Sequence, residues 1–226
     1  MSNVGCRIYT NFTRPEKELV RAFENMAVAN IADNMNRSSC LNSNIKPMNS
    51  GRILGPALTV KSRKGDNLLF HKALDIAQPG DIIVVDAQGD TSNAVAGEIM
   101  MRYAIKKGIG GFLIDGVIRD LDSITESLFP VYAIGTSPNG PYKDGPGEIN
   151  VPISCGGVVV HPGDIVVGDK DGVVIINPKD APFLLEKTNK TNKWEEEVFE
   201  SIENNSFNRE WIDKKLMELG CEIINN

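Results

Sequence analysis

Asn93–Asp122, NAVAGEIMMRYAIKKGIGGFLIDGVIRDLD, decides the fold class of this chain of 226 residues. Val95, Ile99, Met100 and Tyr103 recur at helical spacing, with Glu98, Arg102, Lys106 and Lys107 on other faces. Lys106 and Lys107 fall in the last turn, where cations suit the helix dipole, and Gly108 is a stop signal. Gly111-Phe112-Leu113-Ile114-Asp115 is then too short for a helix and reads as a strand buried on both faces. Helix followed by buried strand is the grammar of an α/β domain. Gly116, Arg119, Asp120 and Asp122 come just past the strand's carboxyl end, where ligands of open α/β sheets sit.

The same stretch carries a chemistry. With a helix beginning at Gly97, the backbone N–H groups of Ile99 and Met100 have no intrahelical acceptor. Together with the dipole they form a cradle for a carboxylate or phosphate. Arg119 adds a planar fork suited to carboxylates, and Asp120 is a hard oxygen ligand of the type Mg²⁺ or Mn²⁺ accepts. Glu98 is a second carboxylate, able to hold water or move a proton. An anion cradle, an arginine and a hard divalent metal suit a 2-oxo acid, because metal and guanidinium face the oxygen where enolate charge develops. The plain alternative for Arg119-Asp120 is a solvated ion pair.

Twenty residues separate Glu98 from Arg119, and Asp120 follows at once. This pattern resembles the acidic-x20-Arg-Asp signature of the RraA-like family, whose commonest form has Asp where this chain has Glu98. GPALTV at 55–60, DNLLFHKALDIAQPGDIIVVD at 66–86 and INVPISCGGVVVHPGDIVVGDKDGVVII at 149–176 resemble further family blocks in family order. The resemblance spans roughly residues 25 to 178 and implies a three-layer ββα swivelling-type domain with a mixed sheet. It implies a divalent-metal-dependent pyruvate aldolase cleaving 4-hydroxy-4-methyl-2-oxoglutarate-type 2-oxo acids, with oxaloacetate decarboxylase activity. In that role Arg119 and Glu98 are catalytic, and Asp120 holds Mg²⁺ or Mn²⁺. Gly97, Ile99, Met100 and Arg119 bind the oxo acid. Homotrimers or homohexamers, with sites near subunit contacts, are implied as well. The alternative is a non-catalytic, protein-binding regulator of RNase activity. A methyltransferase label also attached to the family finds no Gly-rich cofactor motif after a strand here.

Composition narrows the partners. Hydrophobic residues make up 41% of the chain, a globular proportion. A net charge of −6 argues against a nucleic-acid binder. Cys6, Cys40, Cys155 and Cys221 form no C-x-x-C pair, so free thiols and a cytoplasmic location are expected. No apolar run approaches eighteen residues, so no membrane span is expected, and Met1–Pro15 has no signal-peptide core.

Residues 1–13 read as a loose arm and 14–36 as a helix capped by Thr13, with a break near Asp33, itself a turn former or a subunit-boundary residue. Residues 52–61 read as a strand interrupted at Gly55-Pro56, and 68–77 as a helix capped by Asp66-Asn67 and bearing His71, read as structural. Asp81–Asp86 is a buried strand, with Asp90 a second-tier site candidate beyond it. The loop 135–148, opening with Thr136-Ser137-Pro138, is long enough to close over substrate or reach a neighbouring subunit. Four short strands between 149 and 176, with turns at His161–Asp164 and Asp169–Gly172, complete a mixed sheet. The expected organisation is an α/β domain over 1–179 and a helical extension over 180–226, whose Trp194 and Trp211 faces need a partner surface.

Overall fold

The computed structural model describes residues 3–224. The elements run β1 (Arg7–Ile8), α1 (Lys17–Arg21), α2 (Val28–Asn34), β2 (Lys46–Pro47), β3 (Ile53–Ser62), α3 (Leu68–Ile76), β4 (Ile82–Asp90), α4 (Glu98–Lys107), β5 (Gly111–Ile118) and α5 (Leu121–Thr125). They continue with β6 (Val131–Ala133), β7 (Gly135–Thr136), β8 (Gly147–Ile149), β9 (Ile153–Cys155), β10 (Val158–Val160), β11 (Ile165–Gly168), β12 (Val173–Ile176), α6 (Ala181–Glu203) and α7 (Glu210–Glu218). The chain divides into two compact units, Met1–Thr188 and Asn189–Asn226.

In the first unit β3, β4, β5 and β6 pair in parallel, and β8 and β11 add to β3 antiparallel, so the large sheet is mixed. Alternation along the strands makes the layers. Ile83 and Val85 of β4 pack with Phe70, Ala73 and Met101 of α3 and α4, while Ile82 and Val84 face Ile153, Val160 and Val166 of the β9–β12 layer. Apart from Ala73, each of these buried side chains contributes about 2 kcal/mol. The result is the α, β, β layering expected. The far face of β11–β12 takes a further cover: Ile165, Val167, Val174 and Ile176 pack against Phe23, Ile31, Ala181 and Leu184 of the α1–α2 segment and the start of α6.

Several local expectations need correction. The 14–36 segment is two helices separated by turns at 22–26, not one broken at Asp33; Thr13 caps neither, and Asp33 pairs with Arg37 at 2.9 Å. The carbonyls of Phe23 and Met26, freed by that early break, accept from Arg52 Nη2. β3 runs without interruption through Gly55-Pro56 because the proline faces antiparallel β11 just before parallel pairing to β4 begins at Ala57. A Cβ at Gly55 would stand 2.3 Å from the Gly80 carbonyl, so glycine is what lets the two segments meet. The N-terminal arm is tied down through β1, with Arg7 Nε donating to Glu148 at 2.6 Å. On α4 the buried face is Met100, Met101 and Ala104; Ile99 is exposed, since it sits at the helix mouth rather than over the sheet.

The second unit holds the rest of α6 and all of α7, separated by a turn at 204–205. Trp194, Phe199 and Trp211 are exposed there. Among the described residues no helix is long and apolar enough to cross a membrane.

Candidate active site

The site is built where β5 ends and α4 begins. Val95 N–H donates to Val117 O, and Arg119 N–H donates to Ala96 O at 3.0 Å, so the segment before α4 runs alongside the end of β5. Gly97 is the N-cap in extended backbone, and the first intrahelical bond runs from Met101 N–H to Gly97 O. The amides of Ile99 and Met100 therefore lie ahead of the helical ladder. The far end of α4 closes on Gly108 in the left-handed region, φ 72°, and Lys107 Nζ reaches the carbonyls of Leu74 and Asp75 at 2.8 Å each.

Asp120 turns its carboxylate back onto this helix start. Its Oδ2 accepts from Glu98 N–H at 3.0 Å. A Cβ at position 97 would meet that oxygen at 2.4 Å, so Gly97 is the residue that admits the carboxylate. Asp120 holds φ 58°, ψ 44°, a left-handed backbone that aspartate and asparagine adopt more readily than other non-glycine residues. Arg119 Nε stands 3.7 Å from Asp120 Oδ2, too far for a hydrogen bond. Both side chains are about two-fifths exposed, so the pair keeps capacity for a ligand.

Arg119, Asp120, Gly97, Ile99 and Met100 line one cavity of about 140 Å³. The sequence singled out these five together. Asn67, Pro141 and Lys143, with His71, complete the wall and were not read as site residues. They come from the start of α3 and the 135–148 loop, and no local spacing ties those segments to Arg119. Asn67 is buried, its Nδ2 donating to Val95 O at 3.0 Å, while its Oδ1 is buried without a donor. Such an acceptor costs stability until something donates to it. Burial, then nearby Lys143, pushes the His71 pKa down, so the imidazole is neutral at pH 7.

Glu98 stands at the first position of α4, but its carboxylate accepts from Arg102 Nε at 2.6 Å and does not line the cavity. A hydrogen bond from Ser123, then Arg102, holds its pKa below the usual carboxylate value. Asp90 accepts from Ser92 and Asn93 N–H and shapes the turn leading to the site without lining it. Ser137 Oγ donates to Ser92 O, which pins the start of the long loop to the same turn. His161 lies in its turn beside Asp164, away from the site.

Among the described residues no three His, Cys, Asp or Glu side chains gather as a metal cage. Asp120, with one oxygen taken by an amide, offers a hard carboxylate donor of the kind a largely hydrated Mg²⁺ accepts.

Comparison with known proteins adds to this geometry. A family model described as RraA-like, Aldolase/RraA, matches residues 28–175. A protein of Halalkalibacterium halodurans named "Putative 4-hydroxy-4-methyl-2-oxoglutarate aldolase" is 40% identical over 194 residues, covering 85% of this chain and 92% of its own. The crystal structure of Streptomyces coelicolor RraAS2, described as an unusual member of the RNase ES inhibitor RraA protein family, is similar with a TM-score of 0.73 at 30% identity. It aligns over 82% of this chain and 98% of that one. A Geobacillus kaustophilus structure described as an S-adenosylmethionine:2-dimethylmenaquinone methyltransferase is similar with a TM-score of 0.63 at 34% identity, over 67% and 95% of the two chains.

Proposed function

The chain belongs to the RraA-like family, and from that premise we propose that it is a carbon–carbon lyase, a divalent-metal-dependent pyruvate aldolase. Its substrates in this reading are 4-hydroxy-4-methyl-2-oxoglutarate-type 2-oxo acids, and oxaloacetate is decarboxylated through the same enolate. The observation that carries the reading is the convergence of Arg119, Asp120 and the α4 amides on one small cavity, admitted by a glycine. The aldolase name of a relative at 40% identity points the same way.

The amides of Ile99 and Met100 take the substrate carboxylate. Arg119 donates to the keto oxygen, where negative charge grows as the C3–C4 bond breaks. The bonding pair passes to the pyruvate half as its enolate, and C4 leaves as a carbonyl once its hydroxyl proton is removed. Held by Asp120, a Mg²⁺ or Mn²⁺ ion would supply Lewis-acid polarisation of the keto oxygen. Asn67 Oδ1 lacks a donor, and a substrate hydroxyl provides one. Glu98, kept ionised by Ser123 and Arg102, orders the water that takes the hydroxyl proton. This role requires its carboxylate to turn from Arg102 toward the cavity. We place the protein in the cytoplasm as a homotrimer or homohexamer.

Pyruvate release from oxaloacetate and from 4-hydroxy-4-methyl-2-oxoglutarate, with Mg²⁺ and then with EDTA, tests the reading. Release that chelation abolishes, and that Arg119→Ala reduces about 10³-fold, is the expected result. A folded oligomer supplied with metal that releases pyruvate from neither substrate favours the RNase regulator, in keeping with the description of the Streptomyces relative. Unchanged turnover in Arg119→Ala removes that residue from the mechanism.

A further inference from the structure

We propose a second ligand site at the opposite end of the parallel strands from Arg119, one that takes a small dianion with an apolar body, a phosphate ester or a dicarboxylate. A cavity of about 660 Å³ lies between α1 and the turns that precede β4. It shares no lining residue with the cavity at Arg119. Its volume falls in the range of small-molecule sites. Leu54, Pro56, Pro79 and the buried Val20 give it an apolar floor.

The charges around it are unbalanced. The whole chain carries a net charge of −6, yet this one cavity gathers Arg14, Lys17, Arg21 and Arg52 against Asp81 and Glu24. Arg14 is already neutralised: Nε and Nη2 donate to the buried Asp81 carboxylate at 2.7 and 2.6 Å, and its guanidinium rests 4.0 Å from the centre of the Phe12 ring. Arg52 is held differently. Its Nη2 donates to the carbonyls of Phe23 and Met26, which satisfy hydrogen bonding but carry no charge. Its Nε is buried with no partner. Lys17 and Arg21 stand one turn apart on α1, and neither pairs with a carboxylate among the described residues. Among the described residues none of Lys17, Arg21 and Arg52 makes an ion pair, Arg52 standing beyond ion-pair distance of the Asp169 and Asp171 that share a neighbouring cavity with it. Within this cavity the three cations face one acid (Glu24), a net of +2 by 3 − 1.

Holding a guanidinium partly buried without a direct ion-pair partner costs stability, and a ligand anion offsets that cost. Two positive charges in excess select a dianion over a monoanion. The proline and leucine floor selects an anion with an apolar portion over a bare inorganic one.

Phenyl phosphate and phthalate are suitable probes, since both are dianions on an aromatic ring and differ only in the anionic group. Isothermal titration calorimetry on the full chain is expected to show saturable binding of at least one. Tighter phenyl phosphate identifies a phosphate-ester site, and tighter phthalate a dicarboxylate site. The exposed double variant Lys17→Glu/Arg21→Glu is expected to weaken binding at least tenfold, and Arg52→Gln to weaken it too. Arg119→Ala is expected to leave it unchanged. The proposal is overturned if neither probe binds below about 10 mM, if the double variant binds as well as the parent, or if Arg119→Ala abolishes binding. That last outcome would place the anion at the other end of the sheet.

Discussion

Two aspartates meet two helix starts in this molecule, and they do opposite work. Asp66 stands before α3 and is 1% exposed; its Oδ1 accepts from Leu68 N–H, and its Oδ2 accepts from Asp144 and Gly145 N–H. Asp120 meets α4 from outside that helix, remains about two-fifths exposed, and its carboxylate takes one backbone amide, that of Glu98. Asp66 sits beside Asn67 and holds the 142–145 loop, which brings Lys143 to the cavity wall. Asp120 stands in the wall itself on a left-handed backbone. A carboxylate whose oxygens are all engaged by amides fixes structure. One left with an open oxygen in a cavity wall keeps capacity for a ligand.

Asp120→Asn is the sharpest way to break this contrast. Asparagine tolerates the left-handed backbone, and its Oδ1 can still accept from Glu98 N–H. The fold is expected to lose less than about 1 kcal/mol. Pyruvate release is expected to fall about 10³-fold, equivalent to ~4 kcal/mol. Steady-state kinetics beside a thermal melt checks both. Full activity with intact folding would make Asp120 a helix cap and nothing more.

Asp66→Asn should show the reverse balance. An amide NH₂ in place of one oxygen must face backbone donors, so at least one N–H loses its acceptor, at a cost of about 2–4 kcal/mol. Burial raises the Asp66 pKa, but the amides of Leu68, Asp144 and Gly145 outweigh it, and the net displacement is downward. A carboxylate with a depressed folded pKa contributes stability that is complete above its unfolded pKa and lost as pH falls through the folded one. Wild type should therefore exceed Asp66→Asn most clearly at neutral pH, with the gap narrowing below about pH 4. Denaturant midpoints across pH measure it, and a gap independent of pH would show that the charge contributes nothing.

The sequence made one of these two regions far more legible than the other. Asn93–Asp122 holds helix, stop, strand and candidate site residues in one run, so local spacing alone makes Gly97, Arg119 and Asp120 legible as neighbours on one cavity. Asp66 read only as a cap, because two of its three donors lie 78 and 79 residues away. Asn67 and Lys143 were missed as site residues for the same reason: long-range closure of the loop, not local pattern, brings them together. The direction of the Glu98 carboxylate was likewise invisible, since helix position fixes its Cα but not whether the longer side chain follows Arg102. Uninterrupted β3 was obscured by Gly55-Pro56, a pair that reads as a turn until the antiparallel partner β11 is known.

The smallest effect sharpens the comparison from a third aspartate. Asp86 on β4 lies in register with Asp115 on β5, and both stand beside the buried Cys155. Burial pushes the Asp86 pKa up, and the Asp115 charge adds to this against the hydrogen bonds from Gln88 and Ser154 N–H and the Lys61 charge. The sign is now the opposite of Asp66. A raised folded pKa gives a contribution that is complete below the unfolded pKa and lost as pH rises through the folded one, so at neutral pH the ionised Asp86 is a net cost. In Asp86→Asn the Oδ1 can still accept from Gln88 N–H, which it now does at 3.0 Å, and the like charge is gone, but Ser154 N–H loses a carboxylate acceptor, a pH-independent cost. The melting temperature of the variant relative to wild type is expected to rise by a few degrees as pH increases from about 4 to 7, and a relative melting temperature that falls over that range would mean that the ionised Asp86 is held by a favourable contact. That outcome would place Asp86 with Asp66, so that engaged oxygens rather than burial and like charge set the behaviour of the structural aspartates.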